Sequence, residues 1–186
     1  YFHNVLCLSE AKGMDIIMKL TMRKTTTAAM LVALTVAMSG FSIPIGASRC
    51  YPIQHLVNVV CAVFLGPAYG VMAAFCTSLI RNIMGTGSLL AFPGSMVGAL
   101  LCGLIYQKTG KLLLTYIGEV VGTGLLGGML CYPVAVFLMG SSEAALFTYV
   151  MPFFMSTACG TVMAAILVTA LEKSHAMNYL KGVLEA

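Results

Sequence analysis

Charge is what this sequence has least of. Aspartate, glutamate, lysine and arginine together make up 9% of its 186 residues and tryptophan is absent, whereas an ordinary soluble domain is roughly 25% charged. A chain that is 60% hydrophobic cannot cover itself with polar surface, which excludes a soluble globular domain. One membrane crossing takes about 20 mostly apolar residues. The length therefore accommodates about six crossings and leaves little for an extramembrane domain. Function has to sit among the helices or in their short loops.

Recognisable reaction motifs are missing as well. No G-x-x-x-x-G-K-[ST] exists, because Gly110-Lys111 is followed by Leu112, and H-E-x-x-H, G-x-S-x-G and paired carboxylates are also absent. The chain has no recognisable site for hydrolysing ATP. Its seven cysteines include no C-x-x-C pair, and Cys61, Cys76, Cys102, Cys131 and Cys159 lie inside apolar stretches, where they read as small buried hydrophobes. His55 lacks a second His or Cys at ligand spacing, so no metal or other cofactor is expected. The net charge of +4 does not imply nucleic acid, because the basic residues flank apolar runs and form no patch.

What is present is a series of apolar runs punctuated by turn residues. Residues 1–22 are mixed and polar; Met14, Met18 and Met22 could each start a chain, so part of this stretch is a candidate for sequence upstream of the native start. It carries no assigned role. The first apolar run lacks an A-x-A type cleavage region and is expected to remain as a helix. Spans are expected at about 25–43, 52–66, 68–84, 91–107, 113–139 and 144–171. The breaks fall at Pro44 and Gly46, Gly66-Pro67, Gly85-Thr86-Gly87, Lys108 to Lys111, and Gly140 to Ser142. Pro133 inside the fifth span predicts a kink. The domain organisation is thus a polar segment at 1–22, a six-helix membrane domain at 23–172 and a cytoplasmic tail at 173–186.

Charge orients the spans. With a cytoplasmic amino end, Lys12, Lys19, Arg23, Lys24, Lys108, Lys111, Lys173 and Lys181 fall inside, and Arg49 and Arg81 fall outside. This positive-inside bias supports an even number of spans with both termini cytoplasmic, and it leaves the two outer arginines needing another role.

Lipid offers no hydrophobic drive for helix association, so close packing through small residues has to supply much of it. Gly66, Gly70, Ala74 and Ser78, then Gly94 and Gly98, then Gly118 and Gly122 with Gly124 and Gly128, recur at helical spacing and read as internal packing. Ala29, Ala33 and Ala37 form a similar stripe on the first span. On a terminal helix that stripe suits docking of a partner protein as well as it suits packing.

Polar side chains inside a membrane are costly, so each is a candidate site residue. Ser48, Arg49, Tyr51, Gln54, His55 and Asn58, then Ser78, Arg81 and Asn82, then Thr86 and Ser88, cluster near the outer ends of the first four spans. Gln54 and Asn58 share one helical stripe and His55 points about 100° away. Donor and acceptor groups of this kind suit an uncharged heterocycle with one hydroxyl, although bonding to neighbouring backbone carbonyls explains them too. Arg81 and Asn82 precede the flexible Gly85-Thr86-Gly87-Ser88 loop; Arg81 and Arg49 could otherwise serve at the headgroup level. Glu119 is the one acid well inside an apolar run, fit to pair with a lysine, relay a proton or bond a substrate. Tyr106, Tyr116, Tyr132 and Tyr149 read as interface anchors or packing, with Tyr132 a candidate pocket wall.

Five stretches together carry a more specific signal: Phe41-Ser42-Ile43-Pro44-Ile45-Gly46-Ala47-Ser48-Arg49-Cys50-Tyr51-Pro52-Ile53-Gln54-His55; Leu65-Gly66-Pro67-Ala68-Tyr69-Gly70; Thr77-Ser78-Leu79-Ile80-Arg81-Asn82; Gly85-Thr86-Gly87-Ser88-Leu89-Leu90-Ala91-Phe92-Pro93-Gly94-Ser95; and Gly118-Glu119-Val120-Val121-Gly122-Thr123-Gly124. Over about residues 22–172 the chain resembles the ThiW family, the thiazole-linked substrate-binding S components of energy-coupling factor transporters. The two arginine-containing stretches are the specific part. The resemblance implies an all-α bundle of six transmembrane helices in a prokaryotic plasma membrane, binding a vitamin or precursor near the outer surface. It implies partners as well: a transmembrane T component, docked through the A-x-x-x-A pattern of Ala29, Ala33 and Ala37, and two ATPase subunits whose hydrolysis topples the loaded subunit to release substrate inside.

The cargo it implies is a small thiamine precursor, hydroxyethylthiazole, and the residues expected to bind it are Arg49, Gln54, His55, Asn58, Arg81, Asn82, Ser88 and Glu119. The chain itself is expected to catalyse nothing. Two alternatives stand beside this reading: an integral membrane enzyme using Glu119 or His55 as acid or base, and an S component for a different vitamin precursor. A homo-oligomeric channel is disfavoured by the lack of a regular polar stripe through every helix.

Overall fold

The computed structural model describes residues 22–45, 48–140 and 146–185, without the side chains at 44, 45, 48, 49 and 185. Helix α1 covers residues 22–37 and tightens into a 3₁₀ turn at Met38–Gly40. Strands β1 (Ile43–Ile45) and β2 (Ser48–Cys50) pair antiparallel, Ile43 opposite Cys50. There follow α2 (Pro52–Phe64), α3 (Pro67–Ile83) and α4 (Ala91–Thr109). Next come α5 (Leu112–Glu119), a π-helical segment (Val120–Gly127) and α6 (Gly128–Phe137), continuous over 26 residues. Helices α7 (Val150–Lys173) and α8 (Ala176–Glu185) complete the chain.

The breaks follow local chemistry. The N–H groups of Leu65 and Gly66 both return to the Cys61 carbonyl (2.8 and 2.9 Å), Gly66 takes a φ of +90°, and Pro67, having no N–H to offer, opens α3. Gly110, at φ +64°, ends α4 with its N–H on the Tyr106 carbonyl at 2.8 Å. The π segment falls where Gly122, Gly124 and Gly127 offer no side chains to oppose a wider turn.

Three boundaries differ from the sequence expectation. The first span gives way to the β1–β2 pair at residue 43 because Pro44 cannot continue a helix. The last span is helical from Val150, and residues 141–145, where its start was expected, lie outside the described residues. The expected cytoplasmic tail contains a further helix, α8, amphipathic in pattern, with Met177 and Leu184 buried against the bundle.

Side chains are distributed inside out relative to a soluble protein. Met30, Ile83, Phe137, Met151 and Ile166 face outward, whereas Gln54, Asn58, Ser78, Ser95, Glu119 and Thr157 are buried. The continuous helix Leu112–Phe137 and α7 are each long and apolar enough to cross a membrane, with mean hydropathies of 1.8 and 1.9. Arg23 at the start of α1 donates to the Val183 carbonyl (2.8 Å), and Lys181 donates to Tyr106 Oη at the end of α4 (2.7 Å). One end of the bundle therefore gathers these basic side chains.

Helices meet through glycine. A Cβ at Gly122 would lie 2.9 Å from the Gly98 Cα, and one at Gly127 would lie 2.7 Å from the Gly94 carbonyl oxygen, so α4 and the π segment touch backbone to backbone. Gly70 is different: the nearest atoms to an added Cβ are at 3.7 Å, ordinary contact. Gly127→Ala is expected to destabilise the protein by about 1–3 kcal/mol, whereas Gly70→Ala leaves it nearly unchanged. Thermal unfolding of the two variants in detergent measures the difference.

Candidate functional site

At the end of the bundle opposite Arg23 and Lys181, the start of α2, the end of α3, the start of α4 and the start of α7 enclose a cavity of about 360 Å³. Its polar wall comes from Tyr51, Gln54, His55, Arg81, Ser95 and Ser156; Leu90, Tyr149, Pro152 and Phe153 supply the apolar part. Mixed walls of this kind, mostly apolar with a few directed polar groups, are typical of small-molecule sites.

Arg81 is held from three sides. Nη1 donates to Gln54 Oε1 (2.6 Å), Nη2 donates to the Thr86 carbonyl (3.4 Å), and the guanidinium lies 3.9 Å over the Tyr51 ring. Its Nε is buried without a hydrogen-bond partner. The loop after α3 wraps around this residue: the N–H groups of Thr86 and Gly87 both reach the Arg81 carbonyl at 2.9 Å. A Cβ at Gly87 would crowd Arg81 Cβ at 3.1 Å, so a small residue is needed where the loop closes. Gln54 Nε2 in turn donates to Ser78 Oγ (3.3 Å), which meets Ser95 Oγ at the same distance.

Beneath the cavity lies a second cluster. Glu119 is fully buried, and its Oε1 receives His55 Nδ1 (3.1 Å), Asn58 Nδ2 (3.0 Å) and Thr123 Oγ1 (3.0 Å). Asn58 also donates to the Ser95 carbonyl (3.2 Å), joining α2, α4 and α5 at one point. Glu119 Oε2 has no hydrogen-bond partner. Gly98 makes the cluster possible, because any Cβ there would strike Thr123 Oγ1 and Glu119 Oε2.

The residues singled out from sequence separate into three positions. Gln54, His55, Arg81 and Ser88 line the cavity. Asn58 and Glu119 sit behind the wall and reach it through His55 and Ser95. Asn82 turns to the loop, donating to the carbonyls of Ser78 (2.8 Å) and Ser88 (3.0 Å), where it holds the α3–α4 connection. Arg49 belongs to β2, and its side chain lies outside the described ones. Among described residues no cluster of three or more His, Cys, Asp or Glu side chains could hold a metal ion.

Sequence reasoning passed over Ser95, Phe153 and Ser156. Ser95 is adjacent to the Gly94 and Gly98 packing stripe, and Ser156 begins the Ser156-Thr157 pair inside a long apolar run; its Oγ accepts the Tyr51 N–H at 2.9 Å, pinning α7 to the start of α2. A polar residue interrupting an apolar span was the available signal. Ala29, Ala33 and Ala37 are exposed on the outer face of α1, while Ala28, on the opposite face, is buried with Val57, Cys61 and Leu65.

No curated protein matches the chain. Residues 25–174 match the family model described as thiamine-precursor transporter protein (ThiW), a stretch that contains every residue of the cavity wall and of the Glu119 cluster. The chain therefore belongs to the ThiW family of thiamine-precursor transporter proteins.

Proposed function

We propose that the chain is the substrate-binding S component of an energy-coupling factor importer, capturing a thiazole precursor of thiamine, hydroxyethylthiazole, at the outer face of a prokaryotic plasma membrane. In this reading six helices span the bilayer with both termini cytoplasmic. The observation that carries it is a cavity of about 360 Å³, large enough for a single-ring heterocycle, at the end of the bundle away from Arg23 and Lys181. Gln54, His55, Arg81 and Ser88 contact the cargo directly. Asn58, Asn82 and Glu119 hold those residues in place, and Arg49 lies on the strand pair leading into α2.

ATP-driven uptake, as proposed, calls for partners, because the sequence has no nucleotide-binding motif. We assign these to a T component and two ATPase subunits. The exposed stripe of Ala29, Ala33 and Ala37 supports docking through α1: it turns away from the bundle, where small side chains allow another helix to approach closely. A membrane enzyme would need its acid or base at the cavity. Glu119 is fully buried behind His55, which speaks against that role for Glu119 and leaves His55, on the wall, as the group an enzyme would use.

Titration of the purified chain in detergent with hydroxyethylthiazole, thiamine and a pyrimidine precursor, read by thermal stability, tests the cargo. Selective stabilisation by the thiazole is expected. A shift with another compound alone would reassign the cargo while keeping the binding role. Arg81→Ala is expected to weaken binding about tenfold or more, because it removes a charged donor from the wall; calorimetry measures the change. Ala33→Leu is expected to abolish uptake in cells while leaving ligand affinity unchanged, since bulk on the outer face of α1 blocks docking without touching the cavity. Equal loss of uptake and binding would contradict the docking assignment.

A further inference from the structure

We propose that Glu119 is a positioning residue that fixes His55 as its Nδ1–H tautomer, so that Nε2 faces the cavity as a hydrogen-bond acceptor and selects a ligand carrying a hydroxyl donor. The inference rests on the cavity being the site of the thiazole cargo.

The tautomer follows from the contacts of one oxygen. Glu119 Oε1 accepts from the Asn58 amide (3.0 Å) and the Thr123 hydroxyl (3.0 Å), and its third neighbour is His55 Nδ1 at 3.1 Å. An oxygen already accepting two hydrogen bonds has nothing to donate, so Nδ1 carries the hydrogen and, in the neutral ring, Nε2 carries the lone pair. His55 lines the cavity and Glu119 does not. The carboxylate therefore acts on a ligand through the imidazole. Gly160 lets α7 pack closely on α2 beside this residue, since an added Cβ there would lie 2.7 Å from His55 Cβ.

Beside the hydroxyls of Tyr51, Ser88, Tyr149 and Ser156, which can donate as well as accept, His55 brings the one ring nitrogen among the described residues of the wall. Gln54 commits Oε1 to Arg81 and Nε2 to Ser78. The Ser95 hydroxyl donates to the Ala91 carbonyl at 2.7 Å. Arg81 can only donate. The wall thus offers a donor at Arg81 and an acceptor at His55, which suits a small neutral heterocycle with an acceptor at one end and a hydroxyl at the other. An ether or ester at the hydroxyl position would deprive Nε2 of that donor.

The test uses the purified full chain in detergent. Calorimetric titration compares hydroxyethylthiazole with its O-methyl ether, which keeps the ring and loses the donor, and the ¹⁵N spectrum of the imidazole reports the tautomer, with His55→Gln identifying the His55 signals among those of His3 and His175. Wild type is expected to bind the alcohol about tenfold or more tightly than the ether and to carry hydrogen on Nδ1 alone. Glu119→Met, which removes the acceptor, is expected to mix the tautomers and shrink the preference to roughly threefold or less, and Glu119→Gln, whose carbonyl oxygen still accepts from Nδ1, to restore it. Should Glu119→Met fail to fold, the wild-type preference and tautomer decide alone. Equal affinity for alcohol and ether, hydrogen on Nε2, or a doubly protonated ring in wild type would overturn the proposal. Binding of neither compound would overturn the thiazole reading and the ligand selection with it, and the tautomer would then judge the role of Glu119 by itself.

Discussion

A carboxylate with no access to solvent is the constraint around which the bundle is arranged. Burying a carboxyl group is costly unless it is hydrogen-bonded, and here one of its oxygens is met from two helices: by His55 and Asn58 on α2 and by Thr123 one turn along from Glu119 itself. Asn58 also donates to the Ser95 carbonyl on α4, and the Thr157 hydroxyl of α7 reaches the Glu119 carbonyl at 3.5 Å. The same few atoms therefore fix the spacing of α2, α4, α5 and α7. Glycine at position 98 is a condition of that arrangement, since any side chain there would occupy the space of Thr123 and the carboxylate.

The rest of the packing follows the logic of a protein whose exterior is apolar. With Met30, Ile83, Phe137 and Ile166 facing outward, burial of apolar surface cannot distinguish inside from outside. Association instead depends on close backbone approach and on interior hydrogen bonds. The contacts of Gly122 with Gly98 and of Gly127 with Gly94 supply the first. The chain of groups from Arg81 through Gln54, Ser78 and Ser95 to Asn58 and Glu119 supplies the second, running from the cavity rim to the middle of the bundle.

Much of this was legible because membrane helices carry strong local signals. Gly66-Pro67 marked a break that both backbone and ring enforce, and Gln54, His55 and Arg81 stood out because a polar side chain in an apolar run needs a reason. What sequence could not supply was depth. Gln54 and Asn58 share a stripe, yet one turn of helix separates the cavity wall from the buried network, and nothing local distinguishes them. Asn82 follows Arg81 directly and looks equivalent to it, but its helical phase turns its amide to the loop carbonyls. The strand pair of Ile43–Ile45 and Ser48–Cys50 was hidden because strands of three residues are too short to show an alternating pattern. Helix α8 was hidden because a short polar tail reveals its amphipathic face only when there is a bundle for Met177 and Leu184 to pack against.

The cavity and the outer face of α1 belong to different parts of the proposed transport cycle, and they meet at one place. Thr35, Met38 and Ser39, at the end of α1, flank the same narrow void as Tyr51, Gln54 and Arg81. A ligand can alter a docking surface only by the difference in its contacts with two arrangements of the protein. Arg81 is the group best placed to register such a difference, since its guanidinium is held by a ring, an amide and a loop carbonyl rather than by a carboxylate among the described residues, and its Nε is still unpartnered. An acceptor that a cargo brings to Arg81 adds to those contacts, and Tyr51 and Gln54 border the end of α1. The helix bearing the alanine stripe therefore shares a wall with Arg81, so in the proposed cycle the cargo site and the proposed docking helix adjoin without passing through the Glu119 network below.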